Sequence, residues 1–446
     1  MRIHFIAIGG SAMHNLAIAL HRNGHQITGS DDSIYEPSCS RLEKEGLLPQ
    51  SIGWDPTRID ASLDAIILGM HAKEDNPELL AAKALSIDIY SYPEYLYEAT
   101  KEKTRVVIGG SHGKTSITAM ILHVLDYWDI KTDFMIGAQL EGFDTMTQLT
   151  DDNDFVVLEG DEYLSSAIDQ RPKFLLYKPN IALISGIAWD HVNVFPTKED
   201  YIEQFRLFID SITAGGILMY NQDDEILEDL VLKSQNQIRK IPYKTHPFTI
   251  SDGQTALDSD EGPIPLQIFG NHNMSNLSGA LLVCSQMGVE PVMFYEAIPL
   301  FRGASKRLEL FSDRPGKRIY RDFAHAPSKV QATTQAVREQ FPNDLFLACL
   351  ELHTFSSLDE SFIQTYANCL AKSDIAVVFI DDEARKAKGK DPLGEQTIRS
   401  AFAHQSLCVF YENEALFNWL RQQPASIVLM MSSGHFGGLD LQRLVD

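Results

Sequence analysis

Over the first hundred residues, short apolar runs alternate with stretches of helical spacing. Ile3 to Ile8 is β-branched and apolar and predicts a buried strand. Met13 to Asn23 has helical periodicity, and Gln26 to Gly29 and Ala65 to Leu68 read as further strands. Such a βαβ pattern predicts parallel strands joined by crossover helices. Tyr92-Pro93 reads as a turn-rich boundary, and the charged stretch Glu98 to Arg105 ahead of a strand at Val106 to Ile108 places a linker there.

The pattern then repeats with longer elements. Strands are predicted at Phe155 to Leu158, Ile181 to Ser185 and Gly216 to Tyr220, with helices at Ser116 to Asp126 and Lys198 to Ser211. The polar, proline-bearing Asp258 to Pro265 reads as a turn or surface loop. A helical pattern runs from Asn271 to Met287, and Pro299 to Ser305 supplies a second boundary. Beyond it, strands at Arg318 to Tyr320, Leu345 to Leu350, Ile375 to Ile380 and Ile427 to Met430 alternate with helices. The expectation is an α/β protein of three units in series, residues 1–100, 101–300 and 301–446.

Composition narrows the function classes. The chain has 446 residues, 44% of them hydrophobic, enough for several cores. Its 61 acidic against 38 basic residues give a net charge of −23, which argues against nucleic acid or an anionic membrane as the main partner. Phosphates remain accessible to such a chain, because backbone N–H groups and a metal grip them locally. Cys39, Cys284, Cys349, Cys369 and Cys408 are scattered, without a CxxC pair, and point to a reducing, cytoplasmic compartment. No signal peptide, membrane span or obligate protein partner is expected.

Two glycine segments carry candidate chemistry. Gly9-Gly10-Ser11 follows the first strand and opens the first helix, and Asp31 closes the second strand. Against a dinucleotide fingerprint the outer positions are Ala7 and Ala12, which weakens a cofactor reading but leaves room for the nucleotide part of a substrate. Gly109-Gly110-Ser111-His112-Gly113-Lys114-Thr115-Ser116 lies between a strand and a helix, the order that a phosphate loop needs, although Ile108 stands where a strict Walker pattern has glycine. Lys114 would balance phosphate charge and Thr115 would offer a hydroxyl to Mg²⁺. Glu159 follows a strand as a candidate metal acid, with Asp161 and Glu162 beside it, and Asp190-His191 is a second candidate metal pair. Asn271-His272-Asn273 with Asn276 opens a helix that its amides could cap. Arg302, Lys306-Arg307 and Arg321-Asp322 form a mixed run with phosphate-binding potential.

Taken in order, these segments resemble the Mur ligase family. Gly110 to Thr115 is similar to its Gly-Thr-His-Gly-Lys-Thr loop, Glu159-Gly160-Asp161-Glu162-Tyr163 to its acidic motif and Asp190-His191 to its metal pair. His272-Asn273 with Asn276 resembles its ATP-binding helix start, Phe301-Arg302-Gly303 with Lys306-Arg307 its hinge, and Asp322 with His325-Ala326-Pro327 its third-domain entry. The resemblance implies a Rossmann-like first domain, a central P-loop ATPase-like domain and a Rossmann-like third domain. It also implies a ligase that uses ATP and Mg²⁺ to activate the carboxylate of UDP-N-acetylmuramate and join it to an amine. Lys114, Glu159 and His191 would be catalytic. Gly110 to Ser116, His272, Asn273, Asn276, Arg307 and Asp322 would bind ATP, and Thr115, Glu159 and His191 the metal. Gly9, Gly10, Ser11, Asp31, His325, His353, Arg385 and Lys388 are the expected substrate contacts.

The acidic motif with Ala167, Asp169, Arg171 and Tyr177, and the closing Met431-Ser432 to Gly438, are most similar to the member that adds L-alanyl-gamma-D-glutamyl-meso-diaminopimelate during peptidoglycan recycling. The member that adds L-alanine is the alternative, and a nucleotide-binding protein without turnover is a third. Gly186, Ala326 and the segment Glu351 to Ser356, where proline and arginine are expected after the glutamate, depart from the family pattern. Arg206 stands where some relatives carry a carbamoylated lysine.

Overall fold

The computed structural model of the chain describes residues 1–189, 194–259 and 262–444. It divides into two compact units. The first comprises Met1–Ile187, Ile202–Lys244 and Gly279–Pro291, and the second Ala188–Tyr201, Thr245–Ser278 and Val292–Asp446. No helix among the described residues is long and apolar enough to cross a membrane.

The first unit opens with four parallel strands, β1 (Arg2–Ile6), β2 (Gln26–Ser30), β3 (Ala65–Leu68) and β4 (Asp88–Ser91), in the order β2-β1-β3-β4. Chain direction across the sheet reverses between β1 and β3, which opens a crevice at their carboxyl ends. β1 stops at Ile6, two residues short of the apolar run, because Ala7 adopts φ 72° and both Ala7 and Ile8 donate their N–H to the Ser30 carbonyl, at 2.9 and 3.0 Å. An alanine held in the left-handed region costs about 1 kcal/mol.

Beneath this turn lies a buried polar knot. Glu78 is fully buried, accepts from Ser30 Oγ and from the Asp55 N–H at 2.8 Å, and lies 3.4 Å from His4 Nε2. It fixes the end of β2, immediately before Asp31.

Tyr92-Pro93 proves not to be a break. Ser91 caps the helix Tyr92–Thr100 in a reciprocal box with Glu94, and Pro93 sits in the first turn, where its missing N–H costs nothing. The linker shrinks to 101–103. Seven further strands follow: β5 (Thr104–Gly109), β6 (Asp133–Met135), β7 (Thr147–Gln148), β8 (Phe155–Glu159), β9 (Ile181–Ile184), β10 (Ile217–Asn221) and β11 (Arg239–Tyr243). Their order is β11-β10-β9-β5-β8-β6-β7, parallel except for β7. β5 lies between β8 and β9 and is buried from Arg105 to Gly109, as its apolar run predicts.

The second unit corrects the loop expected at Asp258 to Pro265. β12 (Phe248–Ser251), β13 (Gln254–Ser259) and β14 (Gly262–Leu266) form an antiparallel sheet. Pro263 and Pro265 are accommodated because β14 is an edge strand, where absent N–H donors are tolerated. The larger sheet contains β15 (Glu309–Arg314), β16 (Lys317–Asp322), β17 (Phe346–Glu351), β18 (Ile375–Phe379), β19 (Leu407–Phe410) and β20 (Ile427–Met431). Its order is β15-β16-β20-β17-β18-β19, with only β15 antiparallel. A core on one face runs from Phe269 and Tyr320 through Phe346 to Phe402.

Replacing Glu78 with alanine removes the acceptor shared by Ser30 and Asp55 and leaves His4 buried without it. Urea denaturation should show a loss of about 3 kcal/mol. A loss below about 0.5 kcal/mol would show that the knot does not hold the end of β2.

Candidate active site

The phosphate-loop candidate hangs between β5 and the helix Lys114–Tyr127. Gly110 has φ +129°, and a Cβ there would lie 2.1 Å from Ser185 Oγ, so only glycine lets the loop seat against β9. The seating is hydrogen-bonded: Ser111 N–H donates to the Gly186 carbonyl at 3.0 Å and Ser185 Oγ donates to the His112 carbonyl. Gly186, one of the departures from the family pattern, thus serves the loop through its backbone. Gly113, at φ +81°, caps the helix, and Lys114, Thr115 and Ser116 form its first turn.

The sequence candidates Lys114, Thr115 and Glu159 are brought together. Thr115 Oγ1 donates to Glu159 Oε1 at 2.8 Å, and Glu159 Oε2 accepts from Gly137 N–H at 2.7 Å. Lys114 Nζ reaches the Gly110 carbonyl at 2.7 Å and Glu162 Oε2 at 2.5 Å. Burial alone would lower the Lys114 pKa, but Glu162, Asp161 and Glu159 outweigh it and hold the ammonium up at about 12. Glu162 is 1% exposed, whereas Asp161 turns to Lys173 at 2.7 Å. A hydroxyl and a carboxylate oxygen in contact beside a glycine loop are hard donors of the kind Mg²⁺ takes, so Thr115 and Glu159 fit that ion. Asp190 and His191 lie outside the described residues.

At the crevice of the first sheet, Asp31 is a fully buried carboxylate rather than a simple turn residue. Its Oδ2 accepts from Gly9 N–H at 2.6 Å, and its Oδ1 lies 2.8 Å from His71 Nε2. Gly9 N–H is therefore engaged within the protein, while Gly10 caps the helix Ser11–Arg22 without a side-chain bond. Burial would raise the Asp31 pKa, yet the bonds from His71 and Gly9 bring it below the ordinary value, and Asp31 in turn raises that of His71. His71 was not among the sequence candidates. It lies forty positions from Asp31 and matches no local pattern, so only the fold reveals the pair.

The remaining candidates lie in the second unit. Asn273 and Asn276 are buried in the helix Asn271–Gln286, and Asn273 Nδ2 donates to the Phe269 carbonyl at 2.9 Å. Burial pulls the His272 pKa down to about 4. Arg307 lies over the Phe323 ring at 4.7 Å. Asp322 ends β16, accepts from Ala324 N–H at 2.6 Å and has its pKa pushed up to about 6 by burial, against the opposing effect of Arg307. His325 Nδ1 lies 2.8 Å from the Phe323 carbonyl. His353 packs on Gly434, where a Cβ would come within 2.6 Å of its ring, and lies 3.6 Å from Glu351.

The basic stretch around Arg385 is not an open loop. Asp382–Ala387 is a helix, and Arg385, 7% exposed, folds back onto Asp382 at 2.8 Å and onto the Lys390 carbonyl. Lys388 ends that helix.

The Asp31–His71 bond has a defined pH window. A histidine with a raised pKa contributes stability that is full below about pH 6.5 and is lost as pH rises through its folded value, while ionised Asp31 contributes above the carboxylate range and is lost in acid. The stability difference between wild type and His71→Asn in urea should therefore be larger at pH 6 than at pH 8.5. A difference that grows with pH would contradict the pairing.

Comparison with known proteins gives this geometry its family. The model described as Mur ligase family, catalytic domain, matches residues 2–104, and the Mur ligase middle domain matches residues 108–284. The chain is 32% identical over 390 residues to the UDP-N-acetylmuramate–L-alanine ligase of Caldicellulosiruptor bescii, covering 84% of this chain and 82% of the relative. It is 28% identical over 457 residues to the UDP-N-acetylmuramate–L-alanyl-gamma-D-glutamyl-meso-2,6-diaminoheptandioate ligase of Escherichia coli, covering 100% and 98%. The solved structure of the UDP-N-acetylmuramate-alanine ligase of Thermotoga maritima superposes with a TM-score of 0.74 over 100% of this chain and 97% of that one, at 19% identity, a likeness of fold. With both family models and a 32% identical relative aligned along most of its length, the chain belongs to the Mur ligase family, the ATP- and Mg²⁺-dependent amide-bond-forming ligases of peptidoglycan precursor metabolism.

Proposed function

We propose that the chain joins the muramoyl carboxylate of UDP-N-acetylmuramate to the amino group of L-alanine. The observation that carries the chemistry is the contact set of Lys114, Thr115, Glu159 and Glu162 around the glycine loop. A carboxylate is a poor acyl donor because oxide does not leave. Attack of its oxygen on the ATP γ-phosphorus breaks the β,γ P–O bond, releases ADP and yields an acyl phosphate. The amine nitrogen then attacks the acyl carbon, phosphate departs with the C–O electron pair, and the amine loses one proton. Lys114 exchanges Glu162 for phosphate oxygens, and the loop N–H groups orient the γ-phosphoryl. Mg²⁺ held by Thr115 and Glu159 supplies charge neutralisation at the phosphates.

In this reading residues 1–100 hold the uridylyl substrate at Gly9, Gly10, Ser11 and Asp31, residues 101–300 hold ATP, and residues 301–446 take the amine. His272, Asn273, Asn276, Arg307 and Asp322 are assigned to ATP by the family resemblance, His191 to a second ion, and His325, His353, Arg385 and Lys388 to the substrates. ATP and a nucleotide-linked sugar place the reaction in the cytoplasm.

L-alanine is favoured over the tripeptide because the L-alanine ligase relative is the more identical of the two, 32% against 28%. The tripeptide is the second reading. It is supported by the end-to-end alignment with the Escherichia coli ligase and by the closing segment Met431 to Gly438. The deciding experiment measures phosphate release with ATP, Mg²⁺ and UDP-N-acetylmuramate and one amine at a time. Faster turnover with L-alanine is expected, and turnover only with L-alanyl-gamma-D-glutamyl-meso-diaminopimelate would transfer the assignment to the second reading.

Two further outcomes follow from the site. Lys114→Ala should lower kcat by at least ~10²-fold, the cost of removing a preorganised charge, and near-normal kcat would place the chemistry elsewhere. If ionised Asp322 contacts the nucleotide, the acid limb of the kcat/KM profile should fall near pH 6, where its carboxylate takes up a proton, and should move or vanish in Asp322→Asn. An unchanged limb in the variant would remove Asp322 from that role.

A further inference from the structure

Asp31 is held at the crevice of the first sheet from several sides, and each hold leads back to Glu78. Ser30, the residue before it, donates its hydroxyl to Glu78 Oε2. The Asp31 carbonyl accepts from Gly53 N–H at 2.7 Å, and in the same loop Asp55 N–H donates to Glu78 Oε1 at 2.8 Å. The Asp31 carboxylate meets His71, whose ring lies against that of Trp54 in this loop, with centroids 6.3 Å apart. Arg58 closes the set. Its Nη1 donates to the Gly53 carbonyl at 3.0 Å and lies 3.7 Å from Glu78 Oε1.

The glycine turn depends on the same strand end. Ala7 and Ile8 both donate to the Ser30 carbonyl, which sets where Gly9 and Gly10 leave β1. Glu78 is itself firmly placed: its helix, Pro77–Ala84, is capped by Asn76, which accepts from Glu78 N–H at 3.0 Å, and its side chain is fully buried. Burial would raise its pKa, but the bonds from His4, Ser30 and Asp55 bring it below the ordinary value and keep the carboxylate ionised. Two acceptor oxygens serve these donors at once, where a glutamine would offer one.

We infer that Glu78 is a positioning residue for the uridylyl substrate, setting the places of Asp31 and of the Gly9-Gly10 turn and thereby the affinity of the crevice for a uridine nucleotide. The inference rests on the reading above that Gly9, Gly10, Ser11 and Asp31 hold that substrate. Being fully buried, Glu78 does not meet the nucleotide itself. Its effect passes through Ser30 on one side and through the loop from Gly53 to Asp55 on the other. An apolar side chain of similar volume would serve stability about as well, so the buried charge is explained by the geometry it imposes. Binding groups must be held to within about half an ångström.

The test titrates UDP, and separately ATP with Mg²⁺, into wild type, Glu78→Gln, Ser30→Ala, the double variant and Leu79→Ala by calorimetry, with thermal melting to check folding. Leu79 is fully buried on the same helix, so Leu79→Ala opens a void there while the hydrogen bonds to Glu78 stay in place, and it reports loss of stability alone. Residues in one hydrogen-bond network couple strongly enough to change Kd by about tenfold. The UDP Kd should therefore rise about tenfold in Glu78→Gln and in Ser30→Ala, by less than the product of the two in the double variant, and by less than about threefold in Leu79→Ala, with the ATP Kd within about threefold throughout. In turnover assays KM for UDP-N-acetylmuramate should rise in step while kcat stays nearly unchanged. An unchanged UDP Kd in both single variants, an equal rise in Leu79→Ala, or effects that multiply fully in the double variant would each overturn the inference. Should Glu78→Gln fail to fold, an unchanged UDP Kd in Ser30→Ala would do the same. A wild-type protein that does not bind UDP would overturn the reading of the crevice itself, and the inference with it.

Discussion

The charge balance at Lys114 is the constraint on which the site depends. A buried ammonium is costly unless paired, and the chain provides both a carbonyl, Gly110, and a carboxylate, Glu162, within hydrogen-bond distance. Those partners exist only because β5 is central and β8 runs beside it in parallel, setting Glu159 next to Ile108 and the acidic segment next to the loop. The same register brings Thr115 and Glu159 into contact. Position in the sheet thus brings two distant stretches of sequence together at one candidate site. Glu162 also sets a condition on binding, since a phosphate must offer Lys114 at least what the carboxylate already provides.

Much of this was legible in the sequence, for a physical reason. Parallel strands covered on both faces read as apolar runs, so β1, β3, β5, β8, β9 and the core strands of the last sheet stand out directly. Gly110 to Thr115 stood out as a phosphate-loop candidate because phosphate binding demands glycine, lysine and a hydroxyl at fixed spacing, and the structure places them on a strand-to-helix turn. What stayed hidden was whatever depends on partial burial or long-range pairing. β13 and β14 alternate buried and exposed positions and β14 carries two prolines, which look like a loop until an antiparallel neighbour is present. The helix at Tyr92 was masked by a proline that marks a first turn as readily as a break. His71 and the Glu78 knot are held by contacts across 23 to 74 positions and have no local signature.

In the second unit, Glu351 is followed by Leu352 and His353, where the family resemblance implies proline and arginine; it is 1% exposed and accepts from Ser432 Oγ and from Phe436 N–H at 2.8 Å. This ties the end of β17 to the return that follows β20, and the ring of His353 fills the space that Gly434 leaves. Arg385 is likewise committed to its own helix.

The central claim is that ATP activates the sugar carboxylate as an acyl phosphate at the Lys114 loop, and trapping that species tests it most directly. The protein would be incubated with ATP, Mg²⁺, UDP-N-acetylmuramate and hydroxylamine in place of the amine, and the products identified by mass spectrometry. The account predicts the UDP-N-acetylmuramoyl hydroxamate together with ADP and phosphate, all three absent without ATP. Formation of AMP and pyrophosphate, or ADP release without any hydroxamate, would contradict it.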